Sequence, residues 1–375
     1  MTAHAPILTG ARGASRAQRP LRLMIVDDSM VARAVLSRMV ETDGGFEIAA
    51  VAGTAEDAIS ALAHVRVDIV LLDLEMPGAG GLKMLPKILD AARGARVIVV
   101  SSMAEEGAEI TVAALALGAA DTLPKPGTGR FNGRFSEVLL AKLRALGPAA
   151  GGDHAVPDAP VAARERSRLA SNIVLRAMPA APLGMLAIGA STGGIHSLGS
   201  LFNHLPAAIG VPILITQHLP SPFMEVFARQ IGTAAKRTAE VARDGVAVRP
   251  DTILIAPGDA HLTLERRARQ TLVRLDRRAV PSGNLPSCDP MLACLGELYG
   301  GGALAIILSG MGRDGTEGAT RMVACGGAVI AQDETTSAVW GMPRSVAEAG
   351  LACALLPPDQ IARRIASRVG EPSWK

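Results

Sequence analysis

Aromatic residues are scarce: two Trp, one Tyr and six Phe make up 2% of the 375 residues. So few rings cannot build the stacking platforms that hold single-stranded nucleic acid. Charge of one sign is lacking too. Lys and Arg number 38 against 35 Asp and Glu, a net charge of +3, which is too even to imply a nucleic-acid partner. No uninterrupted apolar run approaches the roughly 20 residues that span a bilayer, so membrane insertion is not expected. The first twenty residues lack a signal peptide's apolar core; they are rich in arginine without acids and read as a disordered tail. The four cysteines, Cys288, Cys294, Cys325 and Cys353, show no C-x-x-C spacing. That argues against zinc and against a disulfide framework, and implies free thiols in a reducing cytoplasm. What the chain does have is apolar mass: 49% of it is hydrophobic, ample for the cores of two or three domains.

From residue 21 the pattern alternates. Strands are expected over 21–26, 46–52, 67–72, 96–100 and 120–123, and helices over 30–41, 55–64, 81–92, 108–117 and 136–146. Short connections between alternating elements imply an α/β domain over 21–146, with a parallel sheet covered on both faces. Its ligand site should lie at the carboxyl ends of the strands. Asp27 and Asp28 end the first strand, Asp73 the third and Ser101 the fourth, and Lys125 follows the fifth. Any one of these could be a solvated loop residue; five in register call for another reason. Clustered carboxylates repel one another unless a cation sits among them, and hard oxygen ligands suit Mg²⁺. A lysine and a hydroxyl at the rim then suit a phosphoryl group.

With Glu75-Met76-Pro77 and Leu123-Pro124-Lys125-Pro126, this half resembles the flavodoxin-like receiver domains of two-component response regulators. The resemblance implies that Asp73 accepts phosphate from a histidine kinase and that Asp27, Asp28 and Asp73 hold Mg²⁺ together with the backbone carbonyl of Glu75. It implies also that Ser101 senses the phosphoryl group and Lys125 contacts it. Gly80 stands where the family often has an acid. Thr122 occupies the usual aromatic switch position, so the signal is expected to travel through Ser101 and its loop.

Residues 147–182 are rich in alanine, proline and glycine and read as an inter-domain linker, with a short helix possible over 169–178. The cluster Arg164-Glu165-Arg166-Ser167-Arg168 is either a solvated face or a partner site. A second α/β domain is expected over 183–370, a doubly wound, Rossmann-like parallel sheet. Within it, 261–265 and 271–275 alternate as a β-hairpin should. The arginines Arg266, Arg267, Arg269, Arg277 and Arg278 would be exposed there, either as a solubilising edge or as a patch for an acidic partner. The segment 340–344 reads as a loop rather than core.

The second domain opens on Leu186-Ala187-Ile188-Gly189-Ala190-Ser191-Thr192-Gly193-Gly194, an apolar strand running into a glycine-flanked hydroxyl. This fits G-x-S-x-G, where small neighbours allow a sharp strand-to-helix turn. The following helix offers unpaired backbone N–H groups for an oxyanion or a phosphate. Two further apolar runs end in polar tips at His218 and, through a glycine-rich loop, at Asp314. Three strand ends thus supply nucleophile, base and orienting carboxylate. The bland alternatives are a turn serine, a surface histidine and an Asx-turn aspartate. The order Ser, His, Asp also differs from that of the α/β-hydrolases.

Receiver, linker and second domain together resemble the chemotaxis protein-glutamate methylesterases, which are also receptor glutamine deamidases. The marks are Gly189 to Gly194, Thr216-Gln217-His218, Ile255-Ala256-Pro257-Gly258, Ser309 to Gly315, Ala331-Gln332-Asp333-Glu334 and Gly341-Met342-Pro343. The resemblance implies a catalytic triad of Ser191, His218 and Asp314, with Thr192 and the backbone N–H of Met311 near the oxyanion and no metal in the hydrolytic step. It implies methyl-accepting receptors as substrate and a cytoplasmic monomer whose receiver restrains the esterase until phosphorylated. Asn284-Leu285 stand where the family usually carries a His-basic pair before Pro286-Ser287-Cys288-Asp289. The rival reading is a phosphorylation-controlled binding module in which Gly189 to Gly194 merely cradles phosphate.

Overall fold

The computed structural model describes residues 19–77, 80–101, 105–125, 133–147 and 173–369. Most of the expected tail, Pro126 and the arginine cluster at 164–168 lie outside them. In the N-terminal half the elements are β1 (Leu21–Val26), α1 (Met30–Glu41), β2 (Phe46–Ala52), α2 (Ala55–His64), β3 (Ile69–Asp73), α3 (Gly81–Ala92), β4 (Arg96–Ser101), α4 (Glu105–Leu117), β5 (Asp121–Pro124) and α5 (Gly133–Leu146). The sheet order is β2-β1-β3-β4-β5 with every neighbour parallel. β3 lies at its centre and all five of its residues are buried, as expected of a strand covered on both faces. Hydroxyl caps set two helix starts: Ser29 accepts the Ala32 N–H at 3.2 Å and Thr54 that of Asp57 at 3.1 Å, each satisfying a donor the helix itself leaves unpaired.

The C-terminal half contains β6 (Met185–Ala190), α6 (Gly194–His204), β7 (Ile213–Gln217), α7 (Met224–Ala235), β8 (Ala239–Val241), β9 (Ile253–Ile255), β10 (His261–Arg267), β11 (Gln270–Asp276), α8 (Cys288–Tyr299), β12 (Ala303–Ile307), α9 (Thr316–Ala324), β13 (Ala328–Gln332), α10 (Met342–Glu348), β14 (Ala352–Leu356) and α11 (Pro358–Val369). Seven strands form one parallel sheet in the order β14-β13-β12-β6-β7-β9-β8, and β10 pairs with β11 as a separate hairpin. From β6 the chain winds outward first through β7 and later, on the other side, through β12. β6 therefore borders the topological switch point, where open α/β sheets leave a crevice.

Two expectations fail. Within 340–344 only Trp340 and Gly341 stay outside a helix: Met342 begins α10, with Pro343 in the first helical turn, where its missing N–H costs nothing. Both side chains are buried, and Met342 Sδ would stand 2.4 Å from a Cβ on Gly310. Residues 173–178, the described part of the expected linker helix, have no helical structure. The segment runs beside β14 and donates the Arg176 N–H to the Ala352 carbonyl at 2.9 Å, so an edge strand takes a donor that a helix would have used.

The halves touch. α4 packs on α6 and α7, Arg229 pairs with Glu109 at 2.7 Å, and Arg96 reaches the Ser337 carbonyl at 3.4 Å. Val339 joins the apolar cluster of the N-terminal half.

Candidate active site

β6, β7 and β12 are neighbours in parallel register, so the residues leaving their carboxyl ends meet. Ser191 follows β6, His218 follows β7, and Asp314 lies in the loop after β12. His218 bridges the other two: Nδ1 stands 3.1 Å from Ser191 Oγ, and Nε2 stands 2.8 Å from Asp314 Oδ2. A carboxylate only accepts, so Nε2 carries the proton and Nδ1 is left as the acceptor facing the hydroxyl. The turn places its left-handed residue at Gly193, φ 76°, two positions after the serine. A Cβ there would meet Ala338 Cβ at 2.4 Å and Ser309 Oγ at 2.8 Å, so both conformation and space demand glycine.

Asp314 is buried, 1% exposed, and sits on the N-terminus of α8. The Cys288 N–H reaches Oδ2 at 2.7 Å and the Ser287 hydroxyl reaches Oδ1 at 2.5 Å. Burial pushes its carboxyl up, but the His218 hydrogen bond and charge, with the two helix-end donors, outweigh that and hold it below the ordinary carboxylate range. Ser287 is the N-cap of α8. Its oxygen accepts the Asp289 N–H at 3.2 Å, which leaves its single proton for Asp314. His261 on the hairpin accepts the Ser287 N–H at 2.9 Å and bonds the Arg278 carbonyl at 2.9 Å. Deeper along α8, burial raises the Asp289 carboxyl to about 6, with the Asp314 charge acting the same way against the Gly318 N–H.

Gln217 donates to the Ser191 carbonyl at 2.9 Å. The loop holding Met311 presses on the serine, since a Cβ on Gly310 would be 2.9 Å from Ser191 Cβ. Of the groups expected near an oxyanion, Thr192 is engaged by the other half of the chain: its Oγ1 donates to Asp121 Oδ2 at 2.5 Å, and beside it the Gly193 N–H donates to the Ala120 carbonyl at 2.7 Å. Lys142 holds the same Asp121 oxygen at 2.7 Å. A narrow crevice remains between Leu115, Ala119 and Asp121 on one side and Ser191 and His218 on the other.

At the carboxyl edge of the first sheet, Asp27, Asp28 and Asp73 bring carboxylate oxygens within 4.8 Å of one another. Lys125 Nζ bonds Asp73 Oδ2 at 2.8 Å, and Asp73 Oδ1 accepts the Glu75 N–H at 2.9 Å. Burial raises the Asp27 carboxyl, the Ser29 N–H opposes this, and the Asp73 charge adds to it. Burial alone would lower Lys125, but Asp73 beside it, with Asp27 and Glu75, holds it above its usual value. The set is all-oxygen and crowded with like charge, with Asp27 and Asp73 buried and Asp28 exposed, and so fits a hard dication. Ser101 Oγ hydrogen-bonds Thr111 Oγ1 of α4, which in turn donates to the Gly107 carbonyl. Thr122 is buried and its Oγ1 has no partner among the described residues.

Ser191, His218 and Asp314 thus meet at the second sheet and Asp27, Asp28, Asp73 and Lys125 at the first, while Ser101 is turned to Thr111. Asp121, Ser287, Cys288 and His261 were missed. Only Ser287 carried a signal, as a serine before an acidic first turn. The hairpin arginines are exposed as expected, and several pair locally: Arg267 with Glu265, Arg277 with Asp259 at 3.1 Å and Arg278 with Asp276 at 2.6 Å. Leu285 is exposed at 47% on the loop entering α8.

Comparison with known proteins bears on both halves. Residues 186–365 match the CheB methylesterase family, and residues 23–130 match the response regulator receiver domain. A protein-glutamate methylesterase/protein-glutamine glutaminase of Paramagnetospirillum magneticum is 38% identical, covering 93% of this chain and 96% of the relative. One of Caulobacter vibrioides is 41% identical, covering 93% and 99%. The crystal structure of the Thermotoga maritima CheB methylesterase catalytic domain is 36% identical with a TM-score of 0.48, covering 50% of this chain and 99% of that one. A receiver domain followed by a CheB methylesterase domain, with such relatives covering 93% of the chain, makes this chain a member of the protein-glutamate methylesterase/protein-glutamine glutaminase family of response regulators.

Proposed function

We propose that this protein hydrolyses the γ-methyl esters of glutamate, and the corresponding glutamine amides, on methyl-accepting chemotaxis receptors in the cytoplasm. Ser191, His218 and Asp314 act as nucleophile, base and orienting acid. The observation that carries the reading is the single imidazole within hydrogen-bond reach of both a serine oxygen and a buried carboxylate. His218 Nδ1 takes the hydroxyl proton as Ser191 Oγ adds to the carbonyl. Backbone donors at Thr192 and Met311 stabilise the oxyanion. Collapse breaks the C–OCH₃ bond, and His218 returns the proton so that methanol leaves, or ammonia in the amide case. Water then repeats the sequence and frees glutamate and Ser191. Asp314 keeps the ring oriented and steadies its charged form.

Phosphorylation of Asp73 by a histidine kinase controls this chemistry in the same reading. Asp27, Asp28 and Asp73, with the Glu75 carbonyl, would hold Mg²⁺, which supplies charge to offset the phosphoryl oxygens. Lys125 meets the phosphoryl group and Ser101 turns toward it. Ala120 and Asp121, bound to the Gly193 N–H and the Thr192 hydroxyl, leave only a narrow crevice to Ser191, so in this reading activation opens this contact. The experiment is methanol release from methylated receptor membranes with and without a small-molecule phosphodonor. Release that rises with phosphodonor is expected; no release under either condition would remove the assignment.

A further inference from the structure

Cys288 takes no part in the hydrolysis just derived, yet its Sγ stands among the reacting groups. A ring nitrogen of His218, Cys288 Sγ and a carboxylate oxygen of Asp314 all lie within 4.8 Å of one another. They come from three separate segments: the end of β7, the start of α8 and the loop after β12. The sulfur is buried under β6, where a Cβ on Gly189 would be 2.7 Å away.

Nitrogen, sulfur and oxygen from three side chains are the donor set of a zinc-type ion. Mg²⁺ prefers oxygen alone and is better served at Asp27, Asp28 and Asp73. We propose that His218, Cys288 and Asp314 form a binding site for a soft divalent ion of the Zn²⁺ class, and that its occupation switches the hydrolase off. The second clause rests on the reading of His218 as the base.

Charge favours occupation. One dication, one thiolate, one carboxylate and a neutral imidazole sum to zero in a buried site, whereas a thiolate beside Asp314 without the ion is opposed by burial and by that carboxylate. Inhibition follows from the tautomer. Nε2 is the nitrogen facing Asp314, so an ion bound there moves the ring proton to Nδ1. Nδ1 then donates to Ser191 Oγ and can no longer accept its proton. The bond formed is Sγ–metal and the bond broken is Sγ–H, whose proton leaves to solvent. Affinity should therefore rise about tenfold per pH unit while the free thiol is protonated.

The test uses the full chain in saturating Mg²⁺. Zn²⁺ should inhibit ester hydrolysis reversibly, with relief by a chelator, and Cys288→Ala should need at least tenfold more Zn²⁺ relative to its own uninhibited rate. Co²⁺ should give a near-ultraviolet thiolate-to-metal band in the wild-type chain and in Ser191→Ala, and none in Cys288→Ala. Absence of the band in the wild-type chain, its persistence in Cys288→Ala, or equal inhibition of the two would overturn the proposal. Because the band is read without turnover, an inactive wild-type chain that still shows it would sink the esterase reading and leave the metal site standing.

Discussion

Thr192 Oγ1 donates to Asp121 Oδ2 at 2.5 Å across the domain boundary, one residue after Ser191 in sequence. The hydroxyl beside the nucleophile is thus held by the receiver, and Lys142 fixes the carboxylate that holds it. A buried charge-assisted bond of this kind is worth about 1.5–3 kcal/mol, enough to bias a docked domain. Asp121→Ala should therefore raise esterase activity several-fold in the absence of phosphodonor and shrink the further gain when phosphodonor is added. Rates of the two chains at matched concentration check this. Equal unphosphorylated rates would mean that the contact does not restrain the enzyme and that phosphorylation acts by recruitment to receptors.

Members of a triad act as one unit, so Ser191→Ala and His218→Ala should each lower hydrolysis by roughly 10³-fold or more, with no added loss in the double variant. Ser287→Ala removes the donor to Asp314 Oδ1 together with the N-cap of α8, and a drop of about tenfold in kcat with little change in KM is expected. Ser287→Thr, which keeps both cap and donor, should restore most of it. Near-normal turnover of the His218 variant would eliminate it as the base.

Asp73→Asn should abolish acid-labile, Mg²⁺-dependent phosphate incorporation; persistent labelling would place the acceptor elsewhere. Thr111 tests the route out of the receiver. Ser101 must leave Thr111 to reach a phosphoryl group, and Thr111 lies on α4, the helix packed against α6 and α7. In Thr111→Val the serine is already released, so half-maximal activation should need less phosphodonor while saturating incorporation stays the same. An unshifted dose curve would remove Thr111 from the route.

Asp289 sets a pH dependence of stability. Its folded value, about 6, lies above the ordinary 3.8, so between these values the folded chain keeps a proton that the unfolded chain has released. Stability from this group accordingly falls as pH rises from about 4 to about 6 and is flat above. Asn can still accept the Gly318 N–H and does not ionise. Melting temperatures of Asp289→Asn and the wild-type chain should diverge across that window, with the variant gaining. A difference that does not change with pH would show that Asp289 does not hold the proton.

Much of this was legible in the chain. The apolar runs 21–26, 46–52 and 303–308 and the helical periods between them are local signals, and alternation with short connections leaves few topologies besides parallel sheets. Because strand carboxyl ends gather at one edge, Ser191, His218 and Asp314, and likewise Asp27, Asp73 and Lys125, could be assigned to shared sites before their distances were known. Tertiary structure decided what no local pattern encodes. Asp121 meets Thr192 across 71 residues and Ser287 meets Asp314 across 27, pairs set by how whole elements dock rather than by spacing. The same docking turned Met342 and Pro343 from part of an apparent loop into a buried helix start, because Met342 had space to fill against Gly310. It also carried Cys288, without a C-x-x-C partner in the sequence, to within ligand distance of a histidine and an aspartate from two other segments. Periodicity reports which face of an element is apolar; it does not report which polar residue another element will bring to that element's end.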